Sequence, residues 1–304
     1  MRRQKSFLVL FFKKGLLAFL LCAASPVQDL WQAPFSADSP WNRQISPGAI
    51  FAGQDDLRTQ DLLAGHSLIH AGQWGMALYR ARATDPWATV WDEENTRGFR
   101  TRLPAEARPD PMGDAHLLIG DAEGRHVLEM YRARILPGGR ILARRAFRID
   151  LAGPGMFLRD GRFPGIRAMD ASGMGGVLRA WEIQAGSIQH ALTFLLPPGR
   201  LKHGPVWPSS REDYWGFRQY TGHIPIGTLV AIPRSTRLET LNLSPPALAL
   251  ARALQTYGAY CDDSVGTDGL VITAENAAEP LAGLAEMRRA FPRIRAELRV
   301  VIGR

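Results

Sequence analysis

Residues 114–151 read DAHLLIGDAEGRHVLEMYRARILPGGRILARRAFRIDL, and this stretch decides the fold class. Three runs of strand length, 115–119, 127–136 and 141–151, are apolar or alternating. Two turn signals separate them, GDAEG at 120–124 and PGG at 137–139. The pattern predicts two consecutive antiparallel hairpins. A turn centred on the first signal sets His116 opposite Glu129 and Asp114 opposite Tyr131. A turn centred on the second sets Tyr131 opposite Ala146 and Glu129 opposite Arg148. One face then carries Asp114, His116, Glu129, Tyr131, Arg144 and Arg148. The other carries Ala115, Leu117, Ile119, Leu128, Met130, Phe147 and Ile149. A slip of two residues keeps these sets and a slip of one destroys them. The polar face is either a solvated sheet surface, where arginines and acids pair for little energy, or a functional site. A histidine and a tyrosine among carboxylates and arginines favour the site.

Toward the C-terminus, residues 152–175 hold six glycines and two prolines and read as a long loop. Residues 174–185 are weakly helical, with Gly186 as the stop. Residues 187–196 alternate as a strand, with Ile188, His190, Leu192 and Phe194 on one side. A histidine there is either a satisfied core residue or a general base that meets a polar partner. Glu182 precedes it across Gly186, and the glycine-rich run 172–176 is placed to fold over both, which brings His190 into the expected site. Residues 197–223 form a second loop whose aromatics, Trp207, Tyr214, Trp215 and Tyr220, either stack on sugar rings or pack the loop down. A short strand, 226–232, precedes a helix capped by Ser244, opened by Pro245 and stopped by Gly258. A strand at 270–273, a helix at 278–290 and an edge strand at 297–302 complete the chain.

Toward the N-terminus, 92–113 is a charged, proline-rich loop, and 67–90 suits strands and turns with Trp74, Tyr79 and Trp87. Residues 49–66 could make a short helix. The turn SADSPWN at 36–42 places Trp41 to pin the N-terminal segment to the body. The first 24 residues combine a basic start, a short apolar run and small residues, the pattern of a secretory signal peptide. The run is too short to cross a bilayer. This leaves 25–304 as a single β-rich domain with a helical C-terminal part from about 244 to 304.

The formal charge of +8 includes five positive charges within the first 24 residues. No basic run elsewhere is interleaved with aromatics, so no nucleic-acid partner is expected. Of the two cysteines only Cys261 lies outside the signal segment. It cannot form an internal disulfide, so the fold rests on its core. There is no phosphate-binding glycine loop, no G-x-S-x-G elbow and no H-E-x-x-H. Neither His66 with His70 nor Asp114 with His116 makes a three-ligand set, so no metal or cofactor is expected.

The order of motifs resembles a group of secreted bacterial proteins of unassigned function, sometimes found with carbohydrate-binding modules. The motifs are SPWN, D-x-H then E-x-Y on a hairpin, A-R-x-x-x-R-x-D, Glu-x(7)-His-Ala-Leu, a Trp-Pro loop, L-S-P before a helix ending Y-G-A-Y, and Asp-Ser. The resemblance picks out Ser39, Trp41, Asn42, Asp114, His116, Glu129, Tyr131, Arg144, Arg148, Asp150, Glu182, His190 and Asp263. It implies export to the periplasm or beyond and a glycan partner.

Together these readings predict a mainly antiparallel β-sandwich or jelly-roll-like fold with a few peripheral helices, α+β at its C-terminal end. The expected function is cleavage of a polysaccharide, by lyase or glycosidase chemistry. A lyase needs an arginine to neutralise a uronate and a His/Tyr pair to move protons. A glycosidase needs two carboxyl groups, here Glu129 with Asp114 or Glu182. The expected catalytic residues are His116, Glu129, Tyr131 and His190. The expected substrate-binding residues are Asp114, Arg144, Arg148, Glu182 and Trp207. The rival class is a non-catalytic glycan-binding or cell-envelope structural protein, which would gather Trp207, Trp215 and Tyr220 on one exposed surface.

Overall fold

A computed structural model describes residues 29–156 and 165–303; the expected signal segment, 1–24, lies outside them. In chain order the elements are β1 (Ile50–Phe51), α1 (Leu57–Leu63), β2 (His66–His70), β3 (Leu78–Arg80), β4 (Trp87–Asp92), β5 (Arg97–Arg102), β6 (Leu117–Gly120), β7 (His126–Tyr131), β8 (Arg134–Leu136), β9 (Arg140–Ala143) and β10 (Arg145–Asp150). There follow α2 (Ala180–Ala185), β11 (Leu192–Leu196), β12 (Leu201–Lys202), α3 (Gly216–Gln219), β13 (Ile224–Pro225), β14 (Leu229–Ala231), α4 (Pro245–Thr256), β15 (Ala259–Ser264), β16 (Gly269–Thr273), α5 (Ala282–Ala296) and β17 (Arg299–Gly303).

A seven-stranded sheet runs β1-β17-β14-β15-β11-β16-β2, and two four-stranded sheets run β10-β7-β6-β3 and β5-β4-β9-β8. Strands dominate and helices are few, as expected, and most strand pairs are antiparallel, but the sheets are mixed. β11 runs parallel to β15, β16 to β2, β3 to β6 and β4 to β9. These ladders join segments far apart in the chain, so no local turn signal announces them. Leu192, Thr193, Phe194 and Leu196 of β11 are fully buried, as befits a central strand with both faces covered. α4 and α5 pack on each other, α4 also against β14 and α5 against β2. No helix among the described residues is long and apolar enough to cross a membrane.

The first hairpin keeps its expected faces, because Leu118 lies opposite Glu129, a slip of two from the centred turn. The second does not. Leu136 pairs with Arg140 across a three-residue loop in which Gly138 and Gly139 adopt φ of +75° and +68°. That loop shifts the register by one, so Phe147 faces Glu129 and Arg145 faces Tyr131. Arg144 and Arg148 therefore leave the Glu129 face. Arg132, at φ +53°, marks the point where the hairpin passes from one four-stranded sheet to the other.

Two apolar cores result. Leu117, Ile119, Leu128 and Met130 meet Ala88, Val90 and Ile141 between the four-stranded sheets. Leu118 and Val127 point the other way, into the larger core with Trp41, Phe194 and the helices. Three boundaries also differ from expectation. The strand at 187–196 begins only at Leu192, which leaves His190 in the preceding turn. The weak helix at 174–185 is confined to α2, because Gly175 and Gly176 lie against Trp41 in a turn, Gly176 at φ +67°. The expected edge strand, β17, sits inside the sheet between β1 and β14.

Candidate functional site

The loop from Gly165 to Leu178 is buried almost throughout and lies across β15. It folds back on itself, and a β-carbon at Gly165 would come within 2.0 Å of Ala171 O. Met169 N donates to Asp262 O at 3.1 Å, and Ala168 N to an Asp263 carboxylate oxygen at 3.3 Å. Thr193 N donates to Gly176 O at 3.0 Å. These bonds hold Arg167, Ser172 and Gly173 against the sheet.

The sheet meets them with a bulge. Phe194 of β11 pairs with Cys261 and Leu195 with Asp263, which leaves Asp262 as the extra residue of β15. A bulge re-aims side chains that strict alternation would send to opposite faces. Arg167 accordingly acts on both neighbours, offsetting part of the upward push that burial gives the Asp262 and Asp263 carboxyls. Arg167 Nε stands 3.3 Å from Asp262 Oδ2, with both side chains buried. Yet Arg167 Nε and Nη2 make no well-formed hydrogen bond, while the Thr193 hydroxyl and the Asp262 backbone help hold the Asp262 carboxyl down against burial. Buried polar atoms are nearly always satisfied, so an under-bonded buried guanidinium marks an unusual place.

Glu129 approaches from β7. Its carboxylate accepts from Ser172 Oγ and, at 2.9 Å, from Gly173 N. Burial still pushes the carboxyl up to about 7, with these bonds and Arg167 pulling the other way. Asp263 rises well above the usual carboxylate range through burial and the neighbouring charges of Asp213 and Asp262. Asp213 accepts from Tyr220 Oη at 2.5 Å and from Ser264 Oγ at 2.8 Å. Three carboxyl groups, Glu129, Asp262 and Asp263, thus gather near one guanidinium, and Asp213 lies beside the last of them. Burial and the Arg167 charge press the His116 imidazole down to about 3, so it is neutral in ordinary buffers. Its ring centroid lies 5.7 Å from that of Tyr131.

The hairpin thus brings His116, Glu129 and Tyr131 together and leaves most other expected residues elsewhere. Asp114 is exposed, though burial and then its charge raise the Tyr131 hydroxyl pKa. Arg144 Nε donates to Glu94 at 3.2 Å, and Arg148 Nη2 to Arg100 O at 2.9 Å. Arg145 takes the position expected of Arg144, with its guanidinium 5.2 Å from the Tyr131 ring centroid. Trp207 lines a separate surface cleft with Arg58, Pro225 and Val301. Tyr220 is buried with Trp215 edge-on against it, so the three loop aromatics do not share an exposed surface. Asp150 binds Arg125 at 3.1 Å. Cys261 is buried, and burial with the charges of Asp262 and Asp263 raises its thiol pKa, which disfavours the nucleophilic thiolate.

His190 and Glu182 form a centre of their own. His190 Nδ1 stands 2.9 Å from Ala191 O, which can only accept, so Nδ1 carries a hydrogen. Nε2 lies 2.9 Å from Glu182 Oε1, and this carboxylate and the Ala191 carbonyl raise the imidazole pKa against burial. When the ring is protonated both nitrogens donate, and that imidazolium has no lone pair left for a general base. Glu182 Oε2 accepts from Arg179 N at 2.9 Å, closing the N-terminus of α2. None of His116, Glu129 and Tyr131 is a hydrogen-bond or ion-pair partner of His190. The pair lines a mostly apolar cleft of about 320 Å³ with Trp41, Asn42 and Trp181. Ser39 and Asn42 act on the backbone there, Ser39 Oγ donating to Pro154 O at 2.7 Å and Asn42 Nδ2 to Pro34 O at 3.0 Å.

The sequence reading did not single out Arg167, Asp262, Ser172, Asp213 or Arg145. Consecutive acids at 262–263 beside a strand were the available signal for Asp262. Among the described residues no three His, Cys, Asp or Glu side chains gather as a metal site would require. Compared with protein-family models, curated proteins and solved structures, the chain matches none.

Proposed function

We propose that the chain is an exported enzyme that cleaves a polysaccharide by two-carboxyl, glycosidase-type chemistry at the Glu129–Arg167–Asp262 centre. What carries the reading is Glu129, a carboxyl at about 7 beside a buried Arg167–Asp262 ion pair whose guanidinium lacks well-formed hydrogen bonds. Carboxyl groups in environments that separate their pKa values are how glycosidases divide acid and base roles. In this reading protonated Glu129 donates to the departing glycosidic oxygen. Asp262, beside Arg167, faces the positive charge that develops at the anomeric carbon; a water then bonds to that carbon and gives up a proton to a carboxylate, completing the hydrolysis. Lyase chemistry loses ground because Arg144 and Arg148 lie off the Glu129 face and both His190 nitrogens are engaged. Export rests on the signal pattern at 1–24. The two four-stranded sheets facing across one core are read as the sandwich part of the fold.

The second reading is a non-catalytic glycan-binding protein. It is favoured by the complete burial of Glu129 and Asp262, which suits a polar knot that holds the fold. Incubation with a polysaccharide panel separates the two. New reducing ends without unsaturated, ultraviolet-absorbing products support hydrolysis. Glu129→Gln should then cut kcat by roughly 10²–10⁴-fold while the protein stays folded. Wild-type activity should fall as pH rises past about 7. An equally active Glu129→Gln protein sinks the catalytic assignment.

A further inference from the structure

Strand β4 alternates without exception: Ala88, Val90 and Asp92 are buried, and Trp87, Thr89 and Trp91 face out. Register extends this outward row across its sheet. Trp87 lies opposite Arg102, Thr89 opposite Arg100 and Trp91 opposite Gly98. On the other side Thr89 meets Arg140, and Trp91 meets Leu142. Next along, Leu142 meets Arg134, and Arg140 meets Leu136. No acidic residue stands in this outward set. Trp87 and Trp91 are 52% and 47% exposed, a large outlay of indole to solvent on one strand.

Local geometry prepares these groups. The Arg100 and Arg102 guanidiniums lie 4.7 and 4.2 Å from the Trp87 ring centroid, which orients both forks at the surface. Trp91 lies beside Gly98, where a β-carbon would make an ordinary 3.9 Å contact with the ring. Thr89, Trp91, Gly98, Arg100, Arg140 and Leu142 line an open cleft of about 400 Å³. Arg100 and Trp87 also border a second cleft of about 300 Å³, beyond the outward row, lined by Arg102 and Arg148 and also by Asp121 and Glu123. Among the described residues no carboxylate forms an ion pair with Arg100, Arg102 or Arg140. The two indoles are four residues apart on one strand, about 13 Å.

We infer that this outward face of β5-β4-β9-β8 binds an acidic polysaccharide, with Trp87 and Trp91 stacking on sugar rings and Arg100, Arg102 and Arg140 pairing with their carboxylates. Charge complementarity selects the occupant: an acid-free row of guanidiniums matches planar carboxylates, which arginine grips through two parallel bonds. The choice of glycan over other polyanions rests on the proposed polysaccharide substrate. This surface is separate from the buried Glu129 centre and serves to hold the chain against its substrate.

The test titrates the intact protein with polygalacturonate and follows tryptophan fluorescence. Methyl-esterified polygalacturonate, which keeps the backbone and loses the charge, and oligothymidylate serve as comparators. The wild type should bind polygalacturonate at least about tenfold more tightly than the ester, and Trp91→Ala should weaken binding by a similar factor. The double variant Arg100→Ala/Arg140→Ala should weaken binding and flatten its salt dependence. Trp91→Phe should retain part of the affinity, which separates lost stacking from lost folding. Equal binding by the wild type and all three variants overturns the inference, as does tighter binding of oligothymidylate. Glu129→Gln should bind like the wild type. Binding lost in Trp91→Ala without turnover in any protein would end the enzyme reading and leave this surface standing.

Discussion

Glu129 couples the chemistry of the site to the stability of the chain. Its carboxyl sits at about 7 in the folded protein against 4.5 for an unperturbed glutamate. Between those values the folded chain keeps a proton that the unfolded chain has released. Its contribution to stability is therefore full below 4.5 and is lost as pH rises toward 7, a change of about 3 kcal/mol. Glu129→Gln removes that slope, so the difference between variant and wild-type melting temperatures should vary with pH across this window and level off above it. A difference independent of pH would mean that Glu129 is not a buried acid. His190 runs in the same direction for another reason. Its raised pKa gives stability that is present below the ordinary histidine value of 6.5 and lost as pH climbs through the folded value. His190→Gln leaves the Glu182 carboxylate buried with fewer partners. It should cost about 3 kcal/mol below that pH and less well above it, as measured by chemical denaturation at two pH values. The same loss at both values would show that the imidazole is not charged.

At the level of elements, what could be read in advance depended on whether the signal was local. The turns at 120–124 and 137–139 and the apolar runs beside them were legible, and so was α4 with Pro245 at its first turn. The one-residue error came from treating PGG as a centred turn. A three-residue loop with two positive-φ glycines changes parity, and every side chain downstream changes face. Arg167 was illegible for a different reason: its role depends on a bulge in β15 and on a loop laid across that strand, and both are products of tertiary pairing. The row of tryptophans and arginines on β4 and β5 was locally periodic but lay partly within a segment read as a loop, 92–113. The loop's close seating yields a sharp expectation. Gly176 has φ +67°, and a β-carbon there would stand 2.6 Å from Thr193 N and 2.8 Å from Trp41. Gly176→Ala should lower stability by roughly 3 kcal/mol and disturb the Trp41 near-ultraviolet signal. An unaltered melting temperature would show that the loop is not seated as described.

Across the whole molecule, β6 and β7 form a wall shared by both cores. Leu117 and Leu118 are adjacent in the chain and both fully buried, yet Leu117 enters the core between the four-stranded sheets and Leu118 the larger one. Leu118 also lies opposite Glu129 and approaches Gly173, so it supports the floor beneath the polar centre. A wall of this kind cannot lose the packing on one face and keep its strands paired against the other. The chain should therefore unfold as one cooperative unit despite its two cores. Leu117→Ala and Leu118→Ala should each destabilise it by roughly 2–5 kcal/mol. Both should shift a single transition, seen alike by calorimetry and by tryptophan fluorescence. The fluorescence is a fair reporter because Trp87 and Trp91 belong to one sheet system while Trp31 and Trp41 belong to the larger core. A Leu117→Ala protein that melts in two steps, with the larger core persisting, would show that the sheets around Trp87 and Trp91 fold independently. Activity adds a further distinction, since both substitutions lower stability but only Leu118→Ala removes packing from beneath Glu129. Assayed well below its melting temperature, Leu118→Ala should lose more activity than Leu117→Ala, and equal losses would separate the wall from the site.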